Sequence, residues 1–143
     1  MGWAGWHVFQ VLTKRPERMA DYCRARGEPL PNVWLGTSIE NSRWASRADA
    51  LRRTPAAVRF VSAEPLLGPL DRLDLVGIGW LIVGGESGER HGPMEAEWVR
   101  DLRDRCLAAS VPFFFKQWGG RTPKAGGRTL DGRVWNEMPA SPA

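Results

Sequence analysis

Cysteine, histidine and long apolar runs are all scarce in this sequence. Its two cysteines and two histidines do not have the spacing of a zinc site. Cys23 and Cys106 each fall on the apolar side of a predicted helix, so we expect two buried free thiols and no metal site. The longest apolar run, residues 80–83, is far shorter than the roughly 20 residues of a membrane span, and residues 1–6 lack the regions of a secretory signal. We expect a cytoplasmic protein with no membrane segment.

Positive charge exceeds negative charge only modestly. The formal net charge is +4, with 43% hydrophobic and 25% charged residues, which is typical of a soluble globular domain. Most arginines stand beside acidic residues, as on a solvated helix face. The segment from Arg121 to Arg133 is more one-sided, because Lys124 and Arg128 also lie there and Asp131 is its single acid. It is the better candidate for contact with nucleic-acid phosphates.

Short apolar runs alternate with amphipathic stretches along most of the chain. Strands are predicted at residues 8–12, 32–38, 58–62, 79–84 and 111–116, with helices after the first, second and fourth. The first helix begins at Pro16 and ends at Gly27. The second is capped by Asn41 or Ser42 and carries Trp44 on its apolar face.

This alternation predicts an α/β fold in which about five parallel strands form a partial (β/α) barrel of the TIM type. The barrel part covers residues 1–120, and residues 121–143 form a basic tail with a β-hairpin at Asp131 and Gly132, packed outside it. Five strands are too few to close such a barrel, so we expect two open sheet edges. Open edges favour pairing, which predicts a homodimer or a complex with a partner chain.

Polar or ionisable residues follow all five predicted strands. Ligands of parallel α/β folds bind at the carboxyl ends of the strands, which we call the rim. We therefore predict Glu64, Glu86 and Lys116 as catalytic residues. The predicted ligand-binding residues are Lys14, Arg15, Glu40, Asn41, Gly84, Gly85, Ser87, Gln117 and Trp118. The rim carboxylates of Glu40, Glu64 and Glu86 could perform acid–base chemistry or bind a divalent cation. The alternative is that these residues belong to ordinary polar loops.

Adjacent glycines after the fourth strand are the sharpest local signal. Residues 84–88 read Gly-Gly-Glu-Ser-Gly, which allows the backbone to approach an anion closely. The spacing matches neither a P-loop nor a dinucleotide fingerprint, so a plain tight turn stays open. Among eight tryptophans, Trp118 is expected to be the most exposed and able to stack on a base. Core positions are expected for Trp34, Trp44, Trp80 and Trp98.

Five stretches of the chain carry a family resemblance. They are FQVLTKRPERM at 9–19, NVWLG at 32–36, RFVSAEPLLGP at 59–69, GGESG at 84–88 and PFFFKQWG at 112–119. Through them the run from residue 9 to residue 139 resembles the phage-associated radical-SAM-like proteins of unknown function, the phage proteins gp thirty-seven and gp sixty-eight. The resemblance implies a partial TIM-type barrel of the radical-SAM kind, from a family of phages, prophages and mobile elements.

The resemblance also implies what this chain does not carry. Full-length relatives have the first βα units and a cysteine cluster for a [4Fe–4S] centre upstream, and we expect this sequence to begin after them. Two distant cysteines cannot supply the ligands of such a cluster, so we expect no cofactor, although an S-adenosylmethionine-like ligand fits. The predicted function is that of a shortened binding or regulatory protein with a nucleotide- or nucleic-acid-like ligand at the rim. An enzyme completed by another chain and a host-targeting phage protein remain alternatives.

Overall fold

A computed structural model describes residues 4–140. Its five main strands are β1 (Phe9–Thr13), β2 (Val33–Ser38), β3 (Val58–Ala63), β4 (Trp80–Gly84) and β5 (Phe113–Gln117). The helices are α1 (Pro16–Arg26), α2 (Arg47–Arg52) and α3 (Ala96–Ala109), and a 3-10 turn spans Ser42–Trp44. Two short strands, β6 (Thr129–Leu130) and β7 (Arg133–Val134), form an antiparallel hairpin. The predicted mixed α/β fold with five parallel strands is confirmed.

The five strands form one parallel sheet in sequence order, β1-β2-β3-β4-β5, which is not closed into a barrel. Alternate side chains of a strand point to opposite faces. Val61 and Leu81 belong to the main core, which the helices and the 66–78 connection cover. Trp34, Phe60 and Trp80 pack together on the second face. Both faces bury large apolar side chains, and burial of each one stabilises the fold by about 1.5–3 kcal/mol.

The first helix has the predicted ends. Pro16 occupies its first turn, where no backbone N–H is needed, and Gly27 ends it with φ 93°. The second predicted helix is instead divided into a 3-10 turn and α2. The Asn41 side chain caps the 3-10 turn by accepting the Arg43 N–H. This break leaves Trp44 38% exposed, so its predicted core position is wrong.

The C-terminal hairpin is confirmed, but it is not packed outside the domain. Its turn contains Asp131 with φ 50°, as a tight hairpin turn requires. Leu130 and Trp135 are buried in the main core. The Asp131 carboxylate accepts hydrogen bonds from Arg100 and Arg103 of α3, and these guanidinium groups lower the pKa of Asp131 to about 2. Both apolar burial and charge pairing therefore join the hairpin to the sheet domain.

One of the two expected open edges is closed by the chain itself. The Phe115 N–H donates to the Trp135 carbonyl at 3.0 Å, and the Glu137 N–H donates to the Phe113 carbonyl at 3.2 Å. Residues 135–137 thus run antiparallel along β5, because the hairpin turns the chain back onto it. Within residues 4–140, β1 is paired on one side only.

The two thiols differ in environment. Cys106 is fully buried in the core, and burial raises its pKa to about 12. Cys23 is only partly buried, which corrects the expectation for this residue. In the part of the chain that the structure describes, no helix has the length and apolar character needed to cross a membrane.

Candidate ligand site at the carboxyl ends of the strands

Glu40, directly after β2, lies between two cations. The residue is 8% exposed. The Lys14 ammonium donates to its Oε1, and Arg47 Nη1 lies 3.1 Å from its Oε2. The same Arg47 nitrogen donates to the Ser38 carbonyl at 2.9 Å. A buried carboxylate is tolerated when it is paired and hydrogen-bonded in this way, so Arg47 anchors Glu40 while Lys14 covers it from outside.

A second ion pair joins two strands that are not neighbours. Glu64 follows β3, and its Oε2 lies 2.9 Å from Nζ of Lys116 on β5. The Ser62 hydroxyl donates to Oε1 of the same carboxylate at 3.0 Å. Strand β4 runs between them, and the Glu64 carboxylate crosses it at Gly84, where an added Cβ would lie 2.9 Å from Oε2. Gly84 therefore leaves the space that the Glu64–Lys116 pair occupies.

The two ion pairs lie at the same edge of the sheet. Strand pairing sets Ser38 opposite Ser62, and Glu40 and Glu64 each follow these serines by two residues. Neighbouring strands are about 4.8 Å apart. The structure thus pairs Lys14 with Glu40 and Lys116 with Glu64 at the strand ends.

The glycine-rich loop uses its backbone within the protein. The Gly85 N–H donates to the Gln117 carbonyl and the Gly88 N–H to the Gly120 carbonyl, both at 2.9 Å. A Cβ at Gly85 would lie 1.8 Å from the Trp118 carbonyl oxygen. These glycines allow residues 84–88 to pack directly on residues 117–120. The alternative that this segment is a plain tight turn therefore accounts for Gly85, whose backbone N–H already donates a hydrogen bond within the protein.

Three other predicted residues have local structural partners. The Glu86 carboxylate accepts the Gly92 N–H at 2.7 Å and closes its own loop. Asn41 caps the 3-10 turn. The Trp118 indole N–H donates to the Thr129 carbonyl at 2.8 Å, and its ring meets the ring of Phe115 edge to face. Trp118 is half-buried while Trp6 is 80% exposed, so the expectation that Trp118 is the most exposed tryptophan is wrong.

The remaining predicted residues lie close to the same strand ends. Arg15 directly precedes α1, its backbone N–H bonds to the Thr13 hydroxyl, and its side chain is exposed. The Gln117 side chain lies 3.5 Å from the Gly85 carbonyl. The Ser87 hydroxyl oxygen is buried without a hydrogen-bond partner.

An aromatic residue that the sequence placed in the core belongs to the rim. The Trp44 ring has the Arg47 guanidinium 4.2 Å and the Arg43 guanidinium 5.2 Å from its centroid. Arg47 also holds Glu40, so this ring adjoins the first ion pair. The usable signal was the spacing of arginines one residue before and three residues after the tryptophan, which places cations over its ring.

The basic segment after β5 lies beside the rim. The backbone N–H of Trp118 donates to the carbonyl of residue 127, and the backbone N–H of residue 126 donates to the carbonyl of residue 119. These bonds fold the 121–127 loop back on the end of β5, with Arg121 and Lys124 exposed. Arg128 and Arg133 instead lie over the rings of Phe114 and Trp135. Among residues 4–140, no group of three or more His, Cys, Asp and Glu side chains is arranged to hold a metal ion.

An open parallel α/β sheet with ion pairs at its strand ends defines the structural class of this protein. Residues 1–139 match the family model described as "Protein of unknown function (DUF5131)", and the chain belongs to that family. No curated protein and no solved structure matches the chain.

Proposed function

We propose that this protein binds a phosphate-bearing ligand, a nucleotide or nucleic acid, at the rim, without an iron–sulfur cluster in this chain. The observation that supports this most is the layering of charge. The Lys14 and Lys116 side chains are 60% and 54% exposed, whereas those of their partners Glu40 and Glu64 are 10% and 19% exposed. The ammonium groups therefore face solvent, and the carboxylates lie beneath them.

This layering favours an anionic ligand. A phosphate that approaches the rim meets the two ammonium groups first, while the carboxylates beneath keep them in place. Arg121 and Lys124 add positive charge from the neighbouring loop. The partly exposed Trp44 ring can stack on a base.

Titration with ATP, S-adenosylmethionine and a labelled single-stranded oligonucleotide tests the proposal. We expect ATP or the oligonucleotide to bind, and we expect the affinity to fall as salt is raised, because counterions are released on binding. S-adenosylmethionine carries no phosphate, so binding of that compound alone, or of none of the three, would contradict the proposal. Lys116→Ala should weaken binding at least tenfold while changing the free energy of unfolding by no more than about 1 kcal/mol.

Arg24→Ala is the matched control. It removes the same charge from a side chain that is also 54% exposed, but Arg24 lies near the end of α1 farthest from the rim. Equal losses of affinity in the two variants would show that net charge alone drives binding. Unfolding of the Lys116→Ala variant would make that lysine structural and refute its role at the site.

A further inference from the structure

One cavity in the described part of the chain lies away from the rim. It has a volume of about 640 Å³ and lies under the second half of α1, against β1 and β2. Helix α1 starts at the carboxyl end of β1 and returns toward the amino end of β2, so its last turns lie at the opposite end of the sheet from the rim. The cavity is therefore separate from the ion pairs described above.

Most of the cavity wall is apolar. The aliphatic and proline side chains that line it include Val11, Met19, Leu30, Val33, Leu35 and Pro55. Protein sites for small molecules are concave, mostly apolar and about 300–1,000 Å³ in volume, with a few polar groups that orient the ligand. The wall contains such groups in the Tyr22 phenol and the Cys23 thiol. Size and lining together are those of a small-molecule site.

The charges around the cavity indicate which ligand it takes. One cation, Arg26, and one anion, Glu28, line it. The carboxyl end of α1, at Gly27, adds partial negative charge from its last carbonyl groups. Together these lining groups therefore exert no net attraction on an anion. We propose that this cavity binds an uncharged, largely apolar small molecule, with the Tyr22 hydroxyl or the helix carbonyls as its polar contacts.

Binding of N-phenyl-1-naphthylamine, an uncharged fluorescent probe, tests this proposal. We expect one probe per chain, with enhanced emission, and at least tenfold weaker binding of 8-anilinonaphthalene-1-sulfonate, which adds a sulfonate to the same ring system. Equal or tighter binding of the sulfonate would overturn the proposed preference for an uncharged ligand. No binding of the neutral probe would overturn the site itself.

A pair of neighbouring alanines locates the probe. Ala56 lines the cavity and Ala57 is exposed. Ala56→Phe places a ring in the cavity and should weaken binding of the neutral probe at least tenfold, whereas Ala57→Phe should leave it within twofold. Equal affinities in the two variants would place the probe elsewhere.

The wild-type thiols supply a measurement that does not depend on a variant. Cys23 lines the cavity, while Cys106 is fully buried. Saturating neutral probe should slow maleimide labelling of Cys23 at least fivefold, as read by mass spectrometry of the labelled peptide. An unchanged labelling rate at saturation would contradict occupancy of this cavity. Loss of nucleotide binding at the rim would leave all three results unaffected, because the two sites are separate.

Discussion

Replacing Gly84 with alanine should push the Glu64 carboxylate away from Lys116. The new Cβ would lie 2.9 Å from Oε2, 3.2 Å from Cγ and 3.4 Å from Cδ of Glu64. The carboxylate must move by about 0.5 Å to reach ordinary contact. Overpacking of this kind costs about 1–3 kcal/mol, and the weakened ion pair adds at most about 1 kcal/mol. We expect the free energy of unfolding to fall by about 2 kcal/mol, which lowers Tm by about 6 °C.

The same substitution should be harmless once the carboxylate is removed. Gly84 does not have a positive φ, so alanine fits its backbone and stabilises by about 0.4–1 kcal/mol where there is space. In a Glu64→Ala background, Gly84→Ala should therefore change stability by no more than about 1 kcal/mol, in the stabilising direction. The double-mutant cycle then gives a coupling energy of about 2–3 kcal/mol.

Urea denaturation followed by tryptophan fluorescence measures all four proteins of the cycle. Gly79→Ala is the matched control, because its Cβ would meet nothing closer than 3.4 Å, and it should leave stability unchanged or raise it by no more than about 1 kcal/mol. A loss of about 2 kcal/mol that persists in the Glu64→Ala background would refute the reasoning, since the strain would then arise from another contact.

Three further predictions concern other parts of the molecule. Arg47→Ala should lower the free energy of unfolding by about 3 kcal/mol, because it removes the inner partner of the buried Glu40 carboxylate. Lys14→Ala should lower it by at most about 1 kcal/mol, and equal losses in chemical denaturation would contradict this ranking. At pH 8 the Cys23 thiol should react with Ellman's reagent in the native protein, whereas the Cys106 thiol, with a pKa of about 12, should react only after unfolding. Reaction of both thiols at the same rate in the native protein would contradict this. Light scattering should detect self-association through β1, and a strict monomer at high concentration would count against it.

The order and positions of the five strands could be predicted from sequence because each is a short apolar run bounded by turn residues. Observed strand ends lie within two residues of the predicted ones. The turn at Asp131 was equally readable, since few residue pairs suit a tight hairpin. The path of the chain after the hairpin was not, because residues 135–137 pair with β5 over too short a stretch to show alternation.

The rim was predictable in outline and not in its contacts. Parallel strands bring their carboxyl ends together, so Lys14, Glu40, Glu64 and Lys116 could be placed at one edge. The pairing of Arg47 with Glu40 depends on how the 3-10 turn directs the next helix, and no periodicity shows that. The glycine-rich loop resembled an anion site in sequence because close packing on residues 117–120 requires glycine just as close approach to an anion does.

The strand-like segment at residues 135–137 limits how this sheet can grow. Because the chain covers β5 itself, strand addition directly to the five-stranded sheet in the described part of the protein remains available at β1 alone. Pairing of β1 with β1 of a second copy would use up that edge in both molecules. Such an assembly stops at two copies, whereas a sheet open on both sides could add copies without limit and form fibres. Pairing of residues 135–137 with β5 would thus limit assembly through the sheet edges to two copies.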